Sequence, residues 1–205
     1  MSGRRGRRSY HHGNLREALI DAALQLIAEK GPTGLTFADA ARAAGVSPAA
    51  PYRHFADRDA LLASVAHQGF EKFADALTAA WDDGQPNPRT AFRRLGHAYL
   101  EFARNETAYY TAMFEAQVPP DADRELARVG DRALAVLRQA CEALIAELPE
   151  GKRPPALMMA LHVWSMSHGI ASLFGRGDAA RRKLPMSPDE LLEAGMLVYL
   201  QGLGL

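Results

Sequence analysis

Hydrophobic residues recur along this chain at spacings of three and four, and nowhere alternate with the two-residue period of a strand. Leu15, Leu19, Ala22, Ala23, Leu26 and Ile27 share one face of a first helix, Leu15 to Lys30, which Gly31-Pro32 stops. Thr36 is an N-cap for a second, short helix from Phe37 to Ala44, with Asp39 well placed in its first turn. Gly45 ends that helix, and Val46 is expected to be buried behind it. Ser47-Pro48 then opens a third helix, serine as cap and proline at the first helical position, running to His54-Phe55. Asp57 caps a long fourth helix through Trp81, whose apolar positions include Leu61, Leu62, Val65, Phe70, Phe73 and Leu77.

The run Asp82-Asp83-Gly84-Gln85-Pro86-Asn87-Pro88 breaks the pattern and marks the expected domain boundary. Further helices are predicted near 89–104, 107–116, 121–148, 154–174 and 187–202, separated by proline- and glycine-rich stretches. The reading is an all-α protein of about nine helices. It has an N-terminal arm (1–13), a three-helix bundle with its long connecting helix (14–81) and a larger helical body (88–205).

With 205 residues, 48% hydrophobic and 23% charged, the chain is long enough to bury a core and has an ordinary globular composition. Its one cysteine, Cys141, rules out an intramolecular disulfide and fits a reducing cytoplasm. Cys141 keeps step with Leu134, Leu137, Leu144, Ile145 and Leu148 and reads as core, a redox-sensing thiol being the alternative. No uninterrupted apolar run approaches the ~20 residues that span a bilayer. Met1–Arg8 carries charge with no apolar stretch behind it, so it is not read as a secretory signal. A cytoplasmic protein with no membrane partner is expected.

The net charge is zero, which at first argues against nucleic acid, but its distribution reverses that reading. Arg4, Arg5, Arg7, Arg8 and Arg16 stand in the first 16 residues with no acidic residue among them. Through residue 60 there are nine basic against six acidic residues, a balance of +3, which leaves −3 for the rest. A basic arm on a mildly acidic body suits a polyanion, and a solvated tail is the other reading. The seven histidines form no metal set, since His162 and His168, six apart, face different sides of a helix. No nucleophile with its base, paired carboxylates or phosphate loop is recognisable, so neither an enzyme nor a cofactor is expected.

Two short helices cross steeply only where their contact is small and the turn accepts a special backbone. Ala41 supplies the small side chain, and Gly45, four residues on, supplies the tolerance of positive φ. The window Thr36 to Phe55, with Ala22–Gly31 before it and Asp57–Leu62 after, resembles the tetracycline-repressor (TetR) family over roughly residues 14–70. Its helix-Gly, Gly-Val and Tyr-x-His-Phe elements carry the likeness.

The resemblance implies a regulator that binds double-stranded DNA through a helix-turn-helix. Ser47 to His54 would be the recognition helix, with Ser47, Pro48, Ala49 and Ala50 approaching base edges through small side chains. Arg53 is the long donor among them. Tyr52 and His54 match the family's phosphate-contacting pair, with packing against the bundle as their alternative. Thr36 and Arg58 match further backbone contacts, and Arg4–Arg8 suit the minor groove or the phosphates. Pro51 departs from the family, which usually has a packed leucine there, and the helix is expected to survive it.

In the body, Trp164, His168 and Gly169 resemble the Trp-x-x-x-His-Gly motif of one TetR subgroup. That likeness implies a homodimer through the helices near 154–174 and 187–202, where Met196, Leu197, Leu200 and Leu203 form an apolar stripe; packing within one subunit is the alternative. Phe92, Leu95, Tyr99, Phe102, Tyr110, Met113 and Phe114, with Trp164 and His168, are either plain core or the walls of a cavity for a small apolar or amphipathic effector. The functional expectation is a homodimeric repressor released by such an effector from a pseudopalindromic operator. An effector-independent dimeric regulator and, more remotely, a small-molecule enzyme are the alternatives.

Overall fold

The computed structural model describes residues 15–116, 124–174 and 185–205. Their regular structure is helical: α1 (Leu15–Lys30), α2 (Phe37–Ala43), α3 (Arg58–Trp81), α4 (Pro88–Asn105), α5 (Thr107–Glu115), α6 (Arg124–Ile145), α7 (Ala156–Phe174) and α8 (Pro188–Leu203), with short 3₁₀ turns between. All eight lie where the apolar period predicts them, within a few residues; the ninth expected helix, the third in chain order, does not form as an α-helix, so the predicted fourth is α3.

The end of α2 shows why the turn takes the residues it does. Gly45 has φ 71°, Val46 N–H donates to the Ala41 carbonyl (2.9 Å) and Gly45 N–H to that of Arg42 (3.1 Å). This pair of bonds satisfies carbonyls the helix leaves open, and only a residue at ease with positive φ permits it. Ala41 is fully buried at the crossing, whereas Val46 is half-buried rather than buried as expected.

Beyond Ser47 the expectation of a helix to Phe55 fails. The chain makes a turn and then a three-residue 3₁₀ segment, Pro51–Arg53. Ala50 N–H donates to Ser47 O (2.9 Å), Arg53 to Ala50 O (3.2 Å) and His54 to Pro51 O (2.9 Å), all three residues apart. With Ser47 as cap, residue 51 is the first whose N–H would close an α-helical bond, onto the Ser47 carbonyl. Proline has no such hydrogen, so Ala50 takes the carbonyl and the tighter turn wins. Pro51 itself is buried, filling the place of the family's apolar residue.

The Asp57 carboxylate accepts from Ala60 N–H (2.8 Å) and starts α3, whose 24 residues span about 36 Å. Leu61, Leu62 and Val65 near its start are fully buried, as is Phe73 further along, and Leu77 and Trp81 nearly so. One contiguous core therefore runs from Leu19 of α1 along α3 to Met196 of α8. Gly69 lets α5 approach α3: a Cβ there would come within 2.8 Å of Met113 Sδ and 3.2 Å of Tyr109 Cβ. Arg94 of α4 closes the corner after α3, donating to the carbonyls of Ala80 (2.9 Å) and Gln85 (2.6 Å).

Cys141 is fully buried on α6, and burial, with Glu142 beside it, pushes its thiol up to about 12. Among the described residues α7 alone is long and apolar enough to cross a membrane by length and composition, with an 18-residue mean hydropathy of 1.2. Scanning for uninterrupted apolar runs overlooks this, because Ser165, Ser167, His162 and His168 punctuate the segment. In the fold α7 buries Met159, Ala160, Val163, Ser167 and Ala171 against the body and leaves Leu157, Leu161 and Leu173 on the opposite side exposed.

Candidate nucleic-acid interface and aromatic core

The predicted DNA-facing residues are gathered at one end of the molecule. Ser47, Pro48, Ala49, Tyr52, Arg53 and His54 are exposed and Ala50 is half-buried, on the turn and 3₁₀ segment that follow α2. Tyr52 is 64% exposed, but its ring is not loose: it stands edge-on to Phe37 of α2, centroids 4.9 Å apart. Such a contact fixes the ring and leaves the hydroxyl outward. Thr36 caps α2, its Oγ1 accepting from Asp39 N–H (3.1 Å) and donating to the Asp39 carboxylate (2.9 Å). Arg58 Nε donates to Leu35 O (2.9 Å), one Nη to Pro32 O and the other to Asp59 (2.8 Å). Arg4, Arg5, Arg7 and Arg8 lie outside the described residues.

Two further arginines belong to this end of the protein, and sequence reading does not single them out as site residues. Arg42 on α2 pairs with Asp39 while its side chain stays 76% exposed. Arg16 on α1 donates to Ser64 Oγ (3.0 Å) and lies over the Phe55 ring at 5.4 Å, tying α1 to α3 and to the end of the 3₁₀ segment. Arg16 also pairs with its neighbour Glu17 (3.8 Å), but the contacts that tie it to this end, with Phe55 and Ser64, lie 39 and 48 residues away, beyond the reach of local charge spacing.

The body holds a second assembly. Tyr99 of α4, Tyr110 and Phe114 of α5, and Trp164 and His168 of α7 pack ring against ring at centroid distances of 4.8–6.3 Å. Phe73 of α3 joins them, 5.0 Å from Tyr99 and from Phe102 and 6.1 Å from Trp164. It is absent from the sequence-derived set because it lies before the expected domain boundary. The polar atoms inside this shell are few. His168 Nδ1 faces the hydroxyls of Tyr110 (2.8 Å) and Tyr99 (3.2 Å), and its Nε2 lies 3.4 Å from Ser172 Oγ. Burial, first, and Tyr110 second raise the Tyr99 phenol and keep it neutral.

Phe92, Leu95, Tyr99 and Trp164 also line a cavity with Leu77, Gly96, Leu137, Val163, Ser167 and Met196, but its volume is only about 10 Å³, the space of one water. Met113, which packs on Gly69, and Phe102, 5.0 Å from Phe73, do not line it. The structure thus brings most of the predicted residues into one largely apolar core, closed in this conformation.

The chain resembles known proteins throughout this architecture. The family model described as bacterial regulatory proteins, tetR family, matches residues 19–65, and that described as tetracyclin repressor-like, C-terminal domain, matches residues 92–199. The HTH-type transcriptional regulator BetI of Rhizobium meliloti is 33% identical over 139 residues, 64% of this chain and 68% of that protein. A solved Rhodococcus structure of a protein of unknown function superposes with a TM-score of 0.79 at 30% identity, covering 96% of this chain and 98% of that one. The Thermus thermophilus TetR-family regulator PfmR shares the fold, with a TM-score of 0.69 at 21% identity over 89% and 97% of the two chains. With both family models in register on α1–α3 and on α4–α8, the chain belongs to the TetR family of transcriptional regulators, which bind DNA through an N-terminal helix-turn-helix and dimerise.

Proposed function

We propose that this regulator is a homodimeric repressor, acting in the cytoplasm, that a small apolar or amphipathic effector releases from a pseudopalindromic operator. The observation that carries this is the continuity of α3. One helix bears Arg58, Leu61 and Leu62 under the DNA-facing end and Phe73 in the aromatic shell, so a change in that shell has a rigid path to the DNA. An effector opening the Tyr99–Tyr110–His168 cluster would displace Phe73 and tilt α3; such coupling typically needs ~1–3 kcal/mol. A largely apolar shell with two hydroxyls and one imidazole suits a mostly apolar ligand with one hydrogen-bonding group.

In this reading Thr36, Ser47, Pro48, Ala49, Ala50, Tyr52, Arg53 and His54 form the DNA surface, small residues at the groove and phosphate grips around them. The dimer forms through α7 and α8, supported by their outward Leu157, Leu161, Leu173, Leu197 and Val198, which are 47–69% exposed in the single chain. Gly169 on α7 supports it too. A Cβ there would meet nothing within 4 Å, so nothing within the described chain requires glycine at a propensity cost of ~1 kcal/mol. A close-packed partner helix would require it.

A second reading, an effector-independent dimeric regulator, is favoured by the closed core, whose cavity is about 10 Å³. A panel of small apolar compounds, scored for release of a bound duplex, separates the two. The leading reading expects a releasing compound, with potency lowered about tenfold in Tyr110→Phe while DNA affinity without it is unchanged. A panel without any releasing compound favours the second reading.

A further inference from the structure

Arg58 stands in the first turn of α3, next to the DNA-facing end, where a cation would ordinarily be read as a phosphate contact. Its guanidinium is engaged elsewhere. Nε–H donates to Leu35 O at 2.9 Å, an Nη2 hydrogen to Pro32 O and an Nη1 hydrogen to the Asp59 carboxylate at 2.8 Å. Three of the five N–H donors of the fork are therefore spent inside the protein. The Asp59 carboxylate on it, itself 66% exposed, offsets its positive charge at the surface where a phosphate would approach.

What the two carbonyls belong to decides the role. Pro32 to Leu35 is the turn joining α1 to α2, and Leu35 is 1% exposed. The next residue is Thr36, the cap of α2, and the one after is Phe37, whose ring holds Tyr52. A rigid fork gripping two carbonyls fixes the orientation of that turn as well as its distance from α3. Arg58 is thus the covalent start of α3 and, at once, a hydrogen-bonded anchor for the element that presents Thr36 and Tyr52.

We propose that Arg58 is a positioning residue, which tethers the 32–35 turn to the first turn of α3 so that rotation of α3 carries Thr36 and Tyr52 with it, and that it does not bind phosphate. The proposal rests on the reading of residues 36 and 47–54 as the DNA surface.

The test uses the full chain and a duplex selected by the wild-type protein from a randomised pool. Arg58→Lys keeps the charge that a phosphate needs, but a single ammonium cannot hold the two carbonyls in the fork's geometry. The tether predicts that Arg58→Lys loses affinity about tenfold, with a salt slope equal to wild type, as Arg58→Gln does. It also predicts faster amide exchange confined to about residues 33–40 in the DNA-free Arg58→Lys protein. Wild-type affinity in Arg58→Lys overturns it. So does a salt slope reduced by about 0.9 in Arg58→Gln, the signature of one lost phosphate contact, or a fall in affinity with unchanged exchange. If Arg58→Gln fails to fold, Arg58→Lys carries the decision through affinity and exchange. Arg53→Gln, measured in parallel, reports on the surface itself: unchanged affinity there refutes the DNA surface independently of what Arg58 does.

Discussion

Thr36 shows how much one side chain carries at the DNA-facing end. Its hydroxyl satisfies the Asp39 N–H at the start of α2, so Thr36→Ala is expected to cost about 1 kcal/mol, read as a lowered thermal midpoint. Tyr52→Phe is the opposite case. Its ring packs on Phe37 with or without the hydroxyl, so stability should hold while DNA affinity falls several-fold. Equal midpoints for Thr36→Ala and wild type, or unchanged affinity in Tyr52→Phe, would contradict these roles. The cap is legible in sequence because a cap is local. The Phe37–Tyr52 contact is not, because it depends on how the turn at Gly45 crosses two elements. Pro51 is legible only in half. Its apolar character foretells burial, but its effect on the helix turns on one position in register. Placed in the first turn it reads as harmless; as the first residue to owe an α-helical bond it is not.

At the scale of elements, α4 and α8 meet through a titratable group that the sequence does not mark. His97 Nδ1 lies 3.0 Å from Asp189 and its Nε2 2.7 Å from Glu193, with Arg104 near Asp189 and Arg93 near Glu193. Both ring nitrogens face carboxylates, an arrangement that only the protonated ring, donating from both, satisfies in full. The hydrogen bond to Asp189 chiefly raises its pKa above the usual 6.5. A raised pKa contributes stability that is fully present below 6.5 and is lost as pH climbs through the folded-state value. The midpoint difference between wild type and His97→Gln should therefore shrink on going from about pH 6 to about pH 9; a constant difference would exclude the clamp. Asp189 and Glu193, four apart on α8, can be seen to share a face, but nothing in the pattern of α4 says that His97 sits opposite. The outer faces of α7 and α8 give a second expectation at this scale. Leu197→Glu, placed on a side chain 58% exposed in the single chain, should leave the fold intact and shift sedimentation from dimer to monomer. Retained dimers would place the interface elsewhere.

For the whole molecule, the family was legible because its signature lies in one short window whose glycine, alanine and cap positions have local physical reasons. The body was legible as helices and as an aromatic-rich core. Whether that core is open was not, because closure depends on ring placements such as that of Phe73, which reaches the cluster from a helix assigned to the other end. The result is one continuous core in which α3 joins the surface around Tyr52 to the Tyr99–Tyr110–His168 cluster. The most direct test of the central claim is selection of duplexes from a randomised pool by the full chain, followed by footprinting and stoichiometry of the enriched sequence. The account predicts two inverted half-sites related by a dyad, with protein bound in pairs of chains. A single asymmetric site, one chain per duplex, or no enrichment over the starting pool would contradict it.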